Sequence, residues 1–138
     1  MHILILIFSG QLFIKIAPDL NANIIGILFQ AIREMEAKTL IRFKMHSNEK
    51  DVISIYPGGG CSSSIGRQGG IQLLSLAENC NEMGTIMHEF MHALGVAHTQ
   101  SRSDRDEYVT IIRENIIAED YHNFERKMDY AYRYRDST

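Results

Sequence analysis

The 138-residue sequence lacks the features of membrane-spanning and nucleic-acid-binding proteins. No apolar run approaches the roughly 20 residues that a membrane helix needs. The 14 lysines and arginines are outnumbered by 17 acidic residues, which gives a formal net charge of −3 and no reason to expect a nucleic-acid partner. There are only two prolines, and neither a linker nor an internal repeat is visible. The length therefore suits one compact domain with a core of its own.

Signals for the cellular compartment are also scarce. The first nine residues are apolar from Ile3 to Phe8, but they lack the basic segment and the small-x-small cleavage site of a signal peptide. We interpret residues 1–9 as an apolar leader or the remnant of a strand. Two cysteines, Cys61 and Cys80, are even in number, but alone they do not distinguish a disulfide from two free thiols.

Hydrophobic periodicity predicts the order β-α-β-β-β-α, and hence a mixed sheet with two helices packed on it. The strands are expected at residues 11–17, ended by Pro18, and at 39–45, 51–56 and 71–76. The helices are expected from Asp19 or Asn21 to Lys38 and at residues 84–95. Asp19 or Asn21 can cap the first helix, and Thr85 the second. The glycine- and serine-rich stretch PGGGCSSSIGRQGG is predicted to be a loop or bulged turn. Beyond the second helix we expect a polar loop and then short helices.

The stretch HEFMHALGVAH carries the pattern HExxHxxGxxH. His88 and His92 are one helical turn apart, so both imidazoles project from one face, as two ligands of one metal ion require. Glu89 lies beside the first ligand and can act as general base on a metal-bound water. Gly95 can end the helix with a positive φ, which lets His98 return as third ligand. Three neutral histidines leave one position open, as a catalytic zinc requires.

The histidines could also have a purely structural role. HExxH alone occurs by chance, and a helix with two histidines is often a half-buried structural helix. The extended pattern fixes five positions, and histidines beside Phe90, Met91 and Leu94 would be costly to bury without a metal or another partner. A rival metal set would use Glu114 or Glu119 as third ligand, but His98 makes this unnecessary. The remaining histidines match no ligand spacing and are interpreted as surface or packing residues: His2, His46 and His122.

The sequence resembles the astacin family of metzincin zinc endopeptidases. The segments TLIRF, GGGCSSSIGRQGGIQLLSL, GTIMHEFMHALGVAHTQSRSDRDEYVTI and NIIAEDYHNF are similar to family segments in the same order, from about residue 10 to residue 124. The resemblance implies a twisted five-stranded sheet, two long helices and one zinc ion per chain. It also implies a disulfide between Cys61 and Cys80, and hence an oxidising, extracellular setting. An extended substrate would lie antiparallel to an edge strand, here expected to be IQLLSL with Gln72, Leu73, Leu74 and Ser75.

The sequence departs from the family pattern at several positions. Leu40 stands where the family usually has a cysteine, Thr99 where it has a glutamate after the third histidine, and Ser103 where proline is common. No inhibitory propeptide is recognisable. The Met-turn, with its S-x-M-H-Y context and metal-binding tyrosine, is expected beyond Thr138, so the resemblance is to a C-terminally incomplete domain. Three tyrosines near the end lack that context and are assigned no such role: Tyr130, Tyr132 and Tyr134.

The resulting hypothesis is an α+β, metzincin-like peptidase domain over residues 10–138, with an N-terminal subdomain at 10–95 and the start of a C-terminal subdomain at 96–138. Its function would be zinc-dependent hydrolysis of peptide bonds in proteins, with no membrane span and an undefined oligomeric state. The alternatives are a truncated, inactive remnant that binds zinc or peptides, and an incomplete gene product that does not fold alone.

Overall fold

A computed structural model describes residues 10–127 of the chain. The apolar leader at residues 1–9 and the three C-terminal tyrosines therefore lie outside the described residues. The chain divides after Gly95 into two compact units. Among residues 10–127, no helix is long and apolar enough to cross a membrane.

The first unit is a five-stranded sheet with two α-helices. Its elements follow in the order β1 (Gln11–Ile16), α1 (Ala22–Lys38), β2 (Arg42–Met45), β3 (Val52–Tyr56), β4 (Cys61–Ser63), β5 (Ile71–Leu76) and α2 (Met83–Ala93). The strands are arranged as β2-β1-β3-β5-β4, with four parallel strands and an antiparallel β4 at one edge. The predicted α+β fold with a mixed five-stranded sheet and two helices is confirmed.

The helix boundaries follow from local hydrogen bonds. The Asn21 side chain caps α1 by accepting from the backbone N–H of Asn23 at 2.8 Å, as one of the two predicted caps would. At the other end, the Thr39 hydroxyl donates to the Met35 carbonyl at 2.6 Å and accepts from the Ile41 N–H at 3.1 Å. Because Thr39 closes the helix in this way, β2 begins at Arg42 and not at residue 39 as predicted.

Two further details of the sequence prediction are wrong. The second helix begins at Met83, with Glu82 at the N-cap and no side-chain hydrogen bond there, so Thr85 lies inside the helix and is not its cap. The glycine- and serine-rich stretch is not wholly loop, because Cys61–Ser63 forms β4. This strand pairs with Leu74–Leu76, in the register Ser62 to Ser75.

The core of the first unit lies between the sheet and the two helices. Alternate residues of the central strands point into it, and so does one stripe of each helix. Its largest fully buried side chains are Phe90, Ile14, Ile24, Leu28, Ile55, Leu74, Leu76 and Ile86. Phe90 of α2 packs against Phe43 of β2, with ring centroids 4.8 Å apart. This apolar packing fixes how α2 is rotated about its own axis.

The second unit, as described to residue 127, consists of short 3₁₀ helices at Thr99–Ser101, Arg105–Glu107, Arg113–Asn115 and Ala118–Phe124. Two side chains tie these turns together. The Ser101 hydroxyl donates to the Asn123 carbonyl at 3.0 Å, and the Arg105 guanidinium donates to the carbonyls of Gln100 and Phe124. The predicted polar loop followed by short helices is therefore confirmed in outline.

Substitution of Leu28 by alanine should lower the free energy of unfolding by about 3 kcal/mol, because its side chain is fully buried in the core and a cavity would remain. The neighbouring Phe29 is 39% exposed, so Phe29→Ala should cost markedly less despite removing more atoms. Urea unfolding of both variants measures the difference. Equal losses of unfolding free energy in the two variants would contradict this prediction.

Candidate metal centre

The two helical histidines lie on the face of α2 that is turned away from the core. The core side of the helix carries Ile86, Phe90 and Ala93, all of which are buried. His88 and His92, four residues apart, lie on the opposite side, with ring centroids 4.4 Å apart and ring planes at 82°. His88 is exposed, whereas His92 is 8% exposed. The helix therefore presents two imidazoles side by side.

Gly95 follows the helix with φ of +97°, a conformation that residues with a side chain rarely adopt. Its N–H donates to the His92 carbonyl at 2.8 Å. Three residues later comes His98, and one ring nitrogen from each of the three histidines lies within 4.8 Å of the others. No carboxylate among residues 10–127 belongs to this cluster, so Glu114 and Glu119, the rival ligands, are not part of it.

Glu89 provides a test of whether these residues fit a metal. Its side chain is only 5% exposed, and its Oε2 atom has no hydrogen-bond partner among residues 10–127. Buried carboxylate oxygens without a partner are rare, because their desolvation is then uncompensated. A water held at a neighbouring metal would supply the missing donor. Three imidazoles are a donor set that zinc accepts, so the residues present fit a zinc ion with an open position.

A glycine-rich loop, residues 64–70 between β4 and β5, packs against the C-terminal end of α2. The Gly66 N–H donates to the His92 carbonyl at 2.8 Å, and Gly66 itself has φ of +75°. A Cβ atom placed on Gly66 would lie 3.8 Å from the Gly95 Cα, so the two backbones run close together. Sequence reasoning missed this contact. The only signal was the density of glycines in GRQGG, which shows a special backbone but not its partner.

Asp51, at the start of β3, holds the far end of this loop. Its carboxylate accepts from the Gly70 N–H at 2.6 Å and from the Arg67 Nε at 2.7 Å. The hydrogen bond from Gly70, followed by that from Arg67, keeps the pKa of Asp51 below its ordinary value. The ionised carboxylate therefore fastens the loop that contacts the C-terminal end of α2.

Cys61 and Cys80 form a disulfide with a Cα–Cα distance of 5.8 Å. The bond joins the first residue of β4 to the segment just before α2, and the Ser75 hydroxyl donates to the Gly60 carbonyl at 2.6 Å beside it. In the chain-entropy model, a cross-link over 19 residues stabilises the fold by about 3 kcal/mol.

The strand expected to bind substrate is not at the edge. β5, with Gln72, Leu73, Leu74 and Ser75, pairs with β3 on one side and β4 on the other, so the prediction that it is the edge strand is wrong. The short, mostly apolar segment IQLLSL indicates a strand but says nothing about its neighbours. The disulfide-anchored β4 covers its outer side, and β4 has no strand partner beyond it among residues 10–127.

Comparison with known families bears on this arrangement. The family model described as astacin, a peptidase family, matches residues 9–136, which is nearly the whole chain. The chain belongs to the astacin family. The predicted membership is thus confirmed, and with it the metzincin-like fold.

Several astacin-family relatives are similar to this chain. Human meprin A subunit beta is 44% identical over 112 residues, which cover 80% of this chain and 16% of meprin. Embryonic protein UVS.2 of Xenopus laevis is 47% identical over 107 residues, covering 77% of this chain and 21% of that protein. The solved structure of high choriolytic enzyme 1, a hatching enzyme zinc-protease from Oryzias latipes, superposes with a TM-score of 0.76 at 41% identity, covering 85% of this chain and 59% of the other. The chain thus spans only a minor part of the length of meprin A subunit beta and of UVS.2.

Replacement of Asp51 by asparagine should destabilise the protein at neutral pH but have a smaller effect at pH 3. Because its folded-state pKa is lowered, the Asp51 carboxylate stabilises the fold above its unfolded-state pKa of about 4. This contribution is lost as the pH falls through the folded-state value. Chemical unfolding of both proteins between pH 3 and pH 7 measures it. Arg67→Gln should lose only part of the effect, because the Gly70 hydrogen bond remains; a pH-independent Asp51→Asn difference would contradict the assignment.

Proposed function

We propose that this chain is the zinc-binding part of an astacin-family endopeptidase that hydrolyses peptide bonds in proteins. The observation that carries the proposal is the buried Oε2 of Glu89, which has no hydrogen-bond partner among the described residues and belongs to the same helix as His88 and His92. His98 would complete the ligand set for one zinc ion. Membership of the astacin family and the similarity to a hatching enzyme zinc-protease support the same activity.

The chain's residues would divide the chemistry between them. The zinc ion, when bound, would polarise the scissile carbonyl and lower the pKa of a bound water. Glu89 would accept a proton from the attacking water and later deliver it to the leaving amine. Its burial keeps the carboxylate in one place, and Oε2, which has no hydrogen-bond partner among residues 10–127, is available for that water. His88 and His92 would keep their relative orientation because both belong to one helix.

We place the substrate backbone on the free edge of β4, Cys61–Ser63. An extended peptide can add to an open strand edge through main-chain hydrogen bonds, which suits a protease that accepts proteins of varied sequence. Support comes from the sheet order, in which β4 has a free side among residues 10–127, and from the disulfide that anchors it. The disulfide also favours an extracellular site of action, since such bonds persist in oxidising compartments.

Substitution of Glu89 by glutamine should leave zinc binding intact and reduce peptide cleavage by about 100- to 10,000-fold, because the general base is lost while the side-chain shape is kept. Cleavage of an unfolded protein, with and without chelator, and zinc content are measured on each protein. Glu82→Gln provides the control, since this exposed glutamate lies at the N-cap of the same helix. Undiminished, chelator-sensitive cleavage in Glu89→Gln would refute the role of Glu89. A wild-type chain that binds zinc without cleaving would instead favour a zinc-binding protein.

Replacement of His92 by alanine should reduce bound zinc from about one ion per chain to a small fraction, because only two of the ligands in the open zinc site would remain. His122→Ala is the matched control, as this exposed histidine contacts the Glu119 carbonyl. Elemental analysis after gel filtration gives the stoichiometry. Full zinc occupancy in His92→Ala would exclude this residue as a ligand.

A further inference from the structure

Both backbone polar groups of Gly66, the N–H and the carbonyl, are hydrogen-bonded. Its N–H donates to the carbonyl of His92, a proposed zinc ligand, at 2.8 Å. Its own carbonyl accepts from the Gln68 Nε2 at 3.0 Å and from the Gln72 Nε2 at 3.3 Å. Two side-chain amides therefore fix the one residue of the loop that is hydrogen-bonded to the end of the metal-binding helix.

Gln72 connects this arrangement to the sheet. Its side chain is 8% exposed, on the same side of β5 as the fully buried Leu74. Its Oε1 accepts from the Gln68 N–H at 3.3 Å while its Nε2 reaches Gly66. The Gln68 Nε2 in turn also donates to the Ile65 carbonyl at 2.9 Å. Both glutamine side chains thus bind backbone atoms of the loop. Because Gln72 belongs to β5, it anchors the loop to the sheet.

The loop contacts the end of α2 at the His92 carbonyl. It accepts from Gly66 and also from Gly95, both at 2.8 Å, so the last turn of α2 is held by the loop as well as by its own terminating glycine. Carbonyls at a helix end have no partner within the helix and depend on such external donors. A shift of Gly66 would therefore be transmitted to the backbone of His92 and to the turn that leads to His98.

We propose that Gln68 and Gln72 are positioning residues of the metal centre, acting through the Gly66 backbone on His92. This inference rests on the proposed zinc-binding function. The role of the two glutamines is to keep the end of α2 where the imidazole of His92 can share an ion with the other two histidines.

The test compares the double variant Gln68→Met/Gln72→Met with wild type. Methionine keeps most of the side-chain volume but cannot donate to Gly66. We expect zinc affinity, measured by competition with a chromophoric chelator, to fall about 10-fold, at the low end of what the loss of an outer partner of a metal ligand typically causes. We also expect the visible absorption bands of the cobalt(II)-substituted protein to change in position or intensity. The single variants should each show a smaller effect, since Gly66 would keep one donor.

The control is Ile32→Val in α1, which loosens the buried core without touching residues 64–70. It should leave zinc affinity and the cobalt spectrum unchanged, which separates positioning from general destabilisation. A double variant with wild-type affinity and spectrum would overturn the positioning role and leave the proposed function standing. Equal changes in the control would also overturn it. Failure of the wild-type chain to bind zinc would overturn the proposed function, and the positioning role with it.

Discussion

The burial of one stripe of α2 is the constraint on which the site depends. Successive helical residues are rotated by about 100°, so the placement of Phe90 in the core puts His88 and His92 roughly 160° and 200° away from it. Glu89 falls between the histidines and the buried side of the helix, which explains why its carboxylate is enclosed while His88 is exposed. The hydrophobic effect, acting on the apolar residues of α2, thereby orients the side chains of the candidate site.

Near the C-terminal end of α2, His92 is less exposed than His88, and around the helix axis it lies about 60° from the buried Glu89, compared with about 100° for His88. The loop at residues 64–70 lies against that end of the helix through the bond from Gly66 to the His92 carbonyl. The loop itself is fastened by Asp51 at one end and by Gln72 near the other. Helix α2 is thus held along its buried side by apolar packing and at its C-terminal end by polar contacts from residues 64–70.

Prediction from the sequence succeeded where the signal was local. Helical periodicity indicated α1 from Asp19 or Asn21 to Lys38, and the observed helix is Ala22–Lys38. The offsets in HExxHxxGxxH identified the histidines that the fold brings together. It failed where the decisive contacts are distant in sequence. Cys-Ser-Ser has little intrinsic tendency to form a strand, and β4 exists because Cys61 is bonded to Cys80 and Ser62 pairs with β5. The same long-range pairing made IQLLSL an inner strand, which the segment alone did not reveal.

The shortness of β4 limits how tightly a peptide can be held by its backbone. Of three residues in a strand, one or two present their N–H and C=O to the open side, so a paired peptide gains roughly two to four main-chain hydrogen bonds. At a net value of about 1 kcal/mol each, these bonds amount to an affinity only near the millimolar range. A peptide held by these bonds alone would dissociate quickly, and discrimination among sequences would have to come from side-chain contacts and not from the strand.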